Sequence, residues 1–282
     1  MAVRILVDST FDFTDEQLAL TGIEVVRLHV NFGGEELVDG VDITPEGFYE
    51  RLIESSELPT TSQASPADFA ERFESLTAAG DDVVCMTLSS KLSGTYQSAV
   101  IAAADYPGRV RVVDTLSVAL GAQILARYAY RLAAGGRTMD EIADECEAAR
   151  GRICLMALLD TLEYLKRGGR ISGTAAFAGT VLSIKPVVAI RDGEVAVIGK
   201  ARGSRNGENL LSQTIEKFGV DFEMPYLLGY TGISDALLQK YKADSARLWE
   251  GHAKDLPVSI VGSVIGTHAG PNAIAVAFFR QN

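Results

Sequence analysis

Val83-Val84-Cys85-Met86-Thr87-Leu88-Ser89-Ser90-Lys91-Leu92-Ser93-Gly94-Thr95 is the stretch on which the fold turns. Its first six residues are apolar or β-branched almost throughout, the composition of a strand buried on both faces of a parallel sheet. A loop dense in hydroxyls follows and opens a helix. The same order of strand, hydroxyl loop and helix recurs along the first half of the chain. Val3–Val7 reads as a strand, followed by Asp8-Ser9-Thr10 and a helix opened by the capping-box spacing of Thr14 and Gln17. Ile23–Val30 and Val110–Val113 read as further strands. Thr44-Pro45 and Ser65-Pro66 each set a capping hydroxyl before a proline, as helix starts do, and Thr138 with Glu141 opens another helix. This alternation predicts an α/β/α domain with a mainly parallel sheet over residues 1–152.

The rest reads differently. Ile153–Leu159 is a strand pattern. Pro186–Ile190 and Val195–Ile198 flank Arg191-Asp192-Gly193-Glu194, whose Asp-Gly pair is a hairpin signal. Val258–Ile265 and Ala273–Phe279 flank a Gly-rich loop and read as another antiparallel pair, with helical patterns at Glu208–Phe218 and Asp235–Trp249 between. Residues 153–282 are therefore expected to form an α+β domain with a mainly antiparallel sheet.

Composition excludes several function classes. The chain has 282 residues, 47% of them hydrophobic, and a formal net charge of −11. Such a surface repels nucleic-acid backbones and anionic lipid headgroups, so no nucleic acid and at most transient membrane contact is expected. The longest apolar helix pattern, Ser117 to Ala134, is broken by Gln123, Arg127 and Arg131 and is no membrane span. Three cysteines without a CxxC, and an N-terminus that runs straight into a strand with no signal-peptide pattern, point to the cytoplasm. No GxGxxG follows a strand, Gly193 to Gly199-Lys200 has the wrong spacing and lacks the hydroxyl of a P-loop, and there is no GxSxG, HExxH or zinc-spaced cluster. No cofactor or metal is expected.

What remains is a set of polar loops where strands end. Asp8-Ser9-Thr10, Thr60 to Pro66 and Ser89 to Thr95 are expected on one edge of one sheet, where open α/β sheets bind ligands and helix starts add positive potential. Each also suits plain helix capping. Ile265-Gly266-Thr267-His268-Ala269-Gly270-Pro271 places a histidine in a Gly-flanked turn, where a carboxylate would be a fitting partner. Between Lys166 and Arg205 stand eight basic residues and two acidic ones, a net +6 within an acidic chain, as a docking face for an anionic partner or a phosphate would be. Ile171 to Gly179, continuing through Val181-Leu182, is small and apolar, the pattern of a packed core helix or of a wall with room for an apolar ligand. The residues alone leave three readings open. One is a binder of a small anion at the hydroxyl loops, with room for an apolar ligand beside the small-residue run. The second is a serine hydrolase or acyltransferase with Ser93 as nucleophile and His268 as base. The third is a sensor that binds an anionic metabolite and docks on a regulator.

Taken in order, Asp8-Ser9-Thr10, Thr61 to Ser65, Ser89 to Ala99, Leu162 to Ser172, Lys185-Pro186 and Ile265 to Pro271 resemble the DegV family over essentially the whole chain. Two positions depart from the family's usual pattern, Ala64 for proline and Asn272 for glycine. The resemblance implies two α/β domains with a long-chain fatty acid buried in a tunnel between them. It also implies a fatty-acid-binding subunit without activity of its own, which presents the carboxylate to a separate ATP-dependent fatty acid kinase for conversion to acyl phosphate. Product use by an acyltransferase and a place in phospholipid metabolism would follow. Carried over, Thr61, Ser62, Ser93, Gly94, Thr95, Thr267 and His268 would surround the carboxylate. Arg170, Arg202 and Arg205 would meet partner or phosphate, and Ile171, Ala175, Phe177, Val181 and Leu182 would line the acyl tunnel.

Overall fold

A computed structural model describes residues 2–171, 184–249, 251 and 256–281. Four parallel strands form the first sheet, in the order β2 (Glu24–Val26), β1 (Val3–Asp8), β6 (Asp82–Thr87), β7 (Val110–Asp114). Alternate residues divide its two faces, as the two-residue period of a strand requires. Ile5, Val7, Val84, Met86 and Val113 pack with the residues of α5 (Ala119–Ala134) and α6 (Met139–Ala149). Leu6, Val83, Cys85 and Val110 pack with those of α3 (Pro66–Ala78) and α4 (Thr95–Ala103). Both faces are covered, which is why β6 carries an apolar run instead of an alternating one. The expected capping boxes Thr14–Gln17 and Thr138–Glu141 form at α1 (Asp15–Thr21) and α6, and Thr44 caps α2 (Pro45–Glu54) ahead of its proline.

The Ile23–Val30 strand does not run through. It stops at Val26 and resumes as β3 (His29–Phe32), in a separate three-stranded sheet of order β4 (Glu35–Val38), β3, β5 (Thr60–Ser62). The break has a local cause: Ser9 Oγ accepts the Leu28 amide proton at 3.1 Å, and the Asp39 amide donates to the Leu28 carbonyl at 3.0 Å. Both backbone groups of Leu28 are thereby spent outside the parallel ladder. The three hydroxyl loops consequently do not share one sheet edge. Two follow β1 and β6, while Thr60–Ser62 lies on β5.

The third sheet has the order β10 (Glu194–Arg202), β9 (Ile184–Arg191), β8 (Ile153–Leu158), β13 (Ile274–Phe279), β11 (Leu227–Tyr230), β12 (Val258–Ile260). It is antiparallel except for the β11–β12 pair. The Asp192–Gly193 turn joins β9 to β10 with φ of 50° and 84°, the left-handed pair that an Asp-Gly hairpin supplies. The expected pairing of Val258–Ile265 with Ala273–Phe279 is corrected. β12 is short and pairs with β11, and Ser263–Ala269 forms a helix, α10. Its buried residues, Ser263, Val264, Gly266 and Thr267, follow helical spacing, and at Gly266 a Cβ would sit 2.6 Å from Tyr49 Oη and 2.7 Å from Phe48. The glycine lets α10 lie directly on α2. Helix α5 is the pivot of the assembly, packed against β1 on one side and β8, β11 and β13 on the other.

Candidate functional site

The order β2-β1-β6-β7 makes the gap between β1 and β6 a topological switch point, and ligands of open α/β sheets bind beyond the strand ends there. Asp8 ties that gap together: one carboxylate oxygen accepts from Thr10, the other from the Leu88 amide at 2.7 Å. From Leu88 the chain enters the Ser89–Gly94 loop, and beyond it the described residues enclose a cavity of about 390 Å³, within the ~300–1,000 Å³ usual for ligand pockets. Its walls come from the three-stranded and six-stranded sheets, from α5 and α10, and from Leu88 and the loop that follows β6.

Most of the lining is aliphatic. Leu155 and Ala157 of β8, Val188 to Ile190 of β9, Val195 of β10 and Val118 to Leu120 at the start of α5 contribute, with Val264 and Ile265 of α10. Polar groups concentrate in one region. Thr61 Oγ1 and His268 Nε2 are 3.1 Å apart. Ser62, Gln63, Ser93, Gly94 and Arg170 also line the cavity. Ser93 Oγ lies 2.9 Å from Thr95 Oγ1 and accepts the Thr95 amide at 3.2 Å. Arg170 donates through Nε to the Leu92 carbonyl at 3.1 Å and through a terminal nitrogen to the Gly168 carbonyl at 2.6 Å. One guanidinium thus braces the Ser93 loop against the segment after α7 (Glu163–Arg167).

Two glycines make these approaches possible. A Cβ on Gly168 would sit 2.2 Å from His268 Nδ1, so the imidazole rests on bare backbone. A Cβ on Gly94 would sit 2.1 Å from the Gln63 side-chain oxygen. Gln63 lies across the loop there, donating to Ser98 Oγ at 2.9 Å. Burial, with the nearby Arg170 charge acting in the same direction, lowers the His268 pKa to about 4. The ring is therefore neutral at physiological pH. It can offer one N–H to an acceptor without bringing a charge of its own. Hydroxyls, a neutral imidazole and a braced guanidinium at the side of an apolar chamber suit an anionic head on an apolar tail.

The sequence-predicted residues divide. Thr61, Ser62, Ser93, Gly94, Arg170 and His268 line the cavity together. Thr95 reaches it through Ser93, while the buried Thr267 hydroxyl donates to the Ser263 carbonyl inside α10. His268 stands in the last turn of α10 instead of in an inter-strand turn, and Gly270 serves packing, with the Tyr164 ring 2.3 Å from where a Cβ would be. Arg202 and Arg205 are exposed, at the end of β10 and the start of α8 (Ser204–Phe218), away from the lining. Other members of the basic run are paired: Arg167 with Glu163 and Lys185 with Asp160. Ile171 packs with the lining residues Leu159, Leu165, Val188 and Ala273, whereas Ala175, Phe177, Val181 and Leu182 lie outside the described residues.

A hydrolytic dyad needs the base on the nucleophile and an acid on the base's other nitrogen. Among the described residues no hydrogen bond joins Ser93 to His268, and His268 Nδ1 is buried without a partner. The absence of a left-handed φ at Ser93 or Gly94 also argues against a strained nucleophile turn. Sequence reasoning missed Gln63 and nearly the whole aliphatic wall. The wall residues sit in strand and helix patterns that look the same whether they face a core or a cavity.

Fold and cavity together define a three-sheet α/β protein with an apolar chamber whose polar corner carries hydroxyls, a neutral imidazole and one guanidinium. The chain belongs to the DegV family: the model for "uncharacterised protein, DegV family" matches residues 2–281. A DegV domain-containing protein of Caldanaerobacter subterraneus subsp. tengcongensis is 37% identical over 278 residues, 98% of each chain. A DegV family protein of Thermus thermophilus whose structure concerns fatty acid binding is 32% identical, with a TM-score of 0.89 and full coverage of both chains. A DegV lipid-binding protein of Thermotoga maritima is 28% identical, with a TM-score of 0.82 and full coverage of both chains.

Proposed function

We propose that this protein binds a long-chain fatty acid, with the acyl chain in the apolar chamber and the carboxylate against Thr61, Ser93 and His268. The observation that carries the reading is the Thr61–His268 pair and Arg170 set at the side of a mostly aliphatic cavity. Each buried methylene contributes about 0.8 kcal/mol, so a long chain supplies most of the gross affinity. Hydrogen bonds from hydroxyl and imidazole then offset the desolvation of the carboxylate. The fatty-acid and lipid binding of the similar Thermus and Thermotoga proteins supports the same ligand class.

The reading extends to a division of labour. The chain catalyses nothing alone and presents the carboxylate to a separate ATP-dependent kinase. A carboxylate oxygen attacks the γ-phosphorus of ATP, the β–γ bridging bond breaks, and acyl phosphate and ADP form. Arg170 would steady the transferring phosphoryl group. The exposed Arg202 and Arg205 would meet an acidic face of the kinase, and an acyltransferase would consume the product. Domains 1–152 and 153–282 would hold the ligand between them.

Native mass spectrometry of the purified protein tests the first part: a mass increment equal to a fatty acid, removed by delipidation and restored by palmitate or oleate, is expected. Apo mass throughout, with no uptake, overturns it. For the second part, trapping acyl phosphate as the hydroxamate with kinase and ATP should give product from wild type. It should give much less from His268→Ala or Ser93→Ala. The double variant Arg202→Glu/Arg205→Glu should keep fatty-acid affinity but lose kinase binding, most strongly at low salt.

A further inference from the structure

We infer that Ser89 is a positioning residue that sets the carboxylate-facing loop and the acyl-facing wall of the cavity as one unit; the inference rests on the fatty-acid reading of the site. Ser89 is fully buried just beyond β6 and lines nothing itself. Its carbonyl accepts from the amides of Leu92 at 3.0 Å and Ser93 at 3.2 Å, which shapes the turn that aims Ser93. Its hydroxyl donates to the Gly193 carbonyl at 2.7 Å and accepts from the Lys91 amide at 3.2 Å. Its amide donates to the Ser117 carbonyl at 2.8 Å. Three cavity-lining segments thus meet at one side chain and its backbone. They are the Ser93–Gly94 loop, the β9–β10 hairpin that contributes Val188 to Ile190 and Val195, and the segment leading to Val118–Leu120.

Two features show that this junction is held against resistance. Leu116 and Ala119 have φ of 48° and 46°, the left-handed region that L-residues with a Cβ avoid unless their surroundings impose it. Both flank the Ser117 carbonyl that Ser89 holds. At the hairpin tip, a Cβ on Gly193 would lie 2.6 Å from Ser89 Oγ and 3.1 Å from both Leu116 and Lys91, so the turn backbone is pressed directly onto the junction. A hairpin wall displaced by its contents, or left slack, would move the Gly193 carbonyl and with it the hydroxyl that also anchors Lys91, two residues before Ser93. The quality of the carboxylate seat then depends on how the acyl wall is filled.

The test is the affinity of delipidated full-length protein for palmitate and for methyl palmitate, which share a tail and differ in the head. Wild type should prefer the acid strongly. Ser89→Ala should cut the acid-to-ester ratio at least about tenfold while ester affinity stays within about twofold, and Gly193→Ala, which forces the hairpin itself off the same contact, should cut the ratio alongside a smaller loss of ester affinity. A loss shared equally by both ligands, or an unchanged ratio in both variants, makes Ser89 an ordinary structural residue and overturns the inference while the fatty-acid reading stands. A wild-type protein that binds both ligands equally, or neither, overturns the carboxylate reading and the inference with it.

Discussion

Helix α10 separates two buried polar groups of opposite character. At its start, the Gly262 amide and the Ser263 amide and hydroxyl face Asp12 and Asp39, with Asp8 close by. At its end, His268 meets Thr61 and looks into the cavity beside Arg170. Burial raises the pKa of Asp12 well above the ordinary carboxylate value, and the neighbouring Asp39 charge adds to it. Burial also raises Asp8, to about 6. The same desolvation pushes His268 the other way, because it disfavours whichever form is charged. Among the described residues, Thr61 and His268 line the cavity while Asp8, Asp12 and Asp39 do not. Perturbed titration alone therefore does not mark the site; perturbed titration beside an apolar cavity with convergent donors does.

The largest effect that would break this comparison is steric. Ala157 lines the chamber from β8. Ala157→Trp is expected to cost a long-chain acid at least about a hundredfold in affinity, since several methylenes of about 0.8 kcal/mol each would be excluded. The overpacked wall would cost roughly 1–3 kcal/mol of stability, which thermal melts would show separately. Undiminished palmitate binding by calorimetry would place the acyl chain elsewhere. A smaller effect is expected at the polar corner. His268→Ala removes one hydrogen bond to a charged group, about 1.5–3 kcal/mol, or roughly ten- to hundredfold in Kd. The methyl ester should hardly notice the change, and equal losses for acid and ester would make His268 a packing residue.

How much of this was legible follows from which signals are local. Capping boxes at Thr14 and Thr138, the Asp192–Gly193 hairpin and the apolar run of β6 depend on neighbours a few residues away, and each formed as read. The break at Leu28 depends on Ser9 and Asp39, and the helix at Ser263–Ala269 depends on Phe48 and Tyr49 receiving Gly266. No local pattern announces such partners. The same limit applies to the site. Thr61, Ser93 and His268 stood out because polar residues at element ends are conspicuous. Gln63 was masked by its place in a hydroxyl-rich run, and the wall residues by their likeness to core.

The smallest expected effect is on the pH dependence of stability, and it sharpens the comparison because the two ends of α10 carry opposite signs. A carboxyl whose folded pKa is raised keeps its proton longer in the folded state. Its contribution is complete below the ordinary value of 3.8 and is lost as pH rises through the folded value, about 6 for Asp8 and higher for Asp12. His268, lowered to about 4, behaves inversely: its contribution is complete above 6.5 and is lost as pH falls toward 4. Each group tilts the stability curve by at most about 1.4 kcal/mol per pH unit inside its window. Asp12→Asn keeps an acceptor for the Gly262 amide and removes a buried carboxyl that must hold its proton, its second oxygen being without a partner. It should flatten the decline in stability between pH 4 and neutrality and stabilise the protein at pH 7, with fatty-acid affinity unchanged. His268→Ala should flatten the opposite slope between about pH 6.5 and 4. Urea denaturation of both variants at pH 4.5, 5.5, 6.5 and 7.5 measures the two slopes directly. Slopes of the same sign would mean that the acids at the start of α10 are ionised in the fold, and the contrast between the two ends of the helix would collapse.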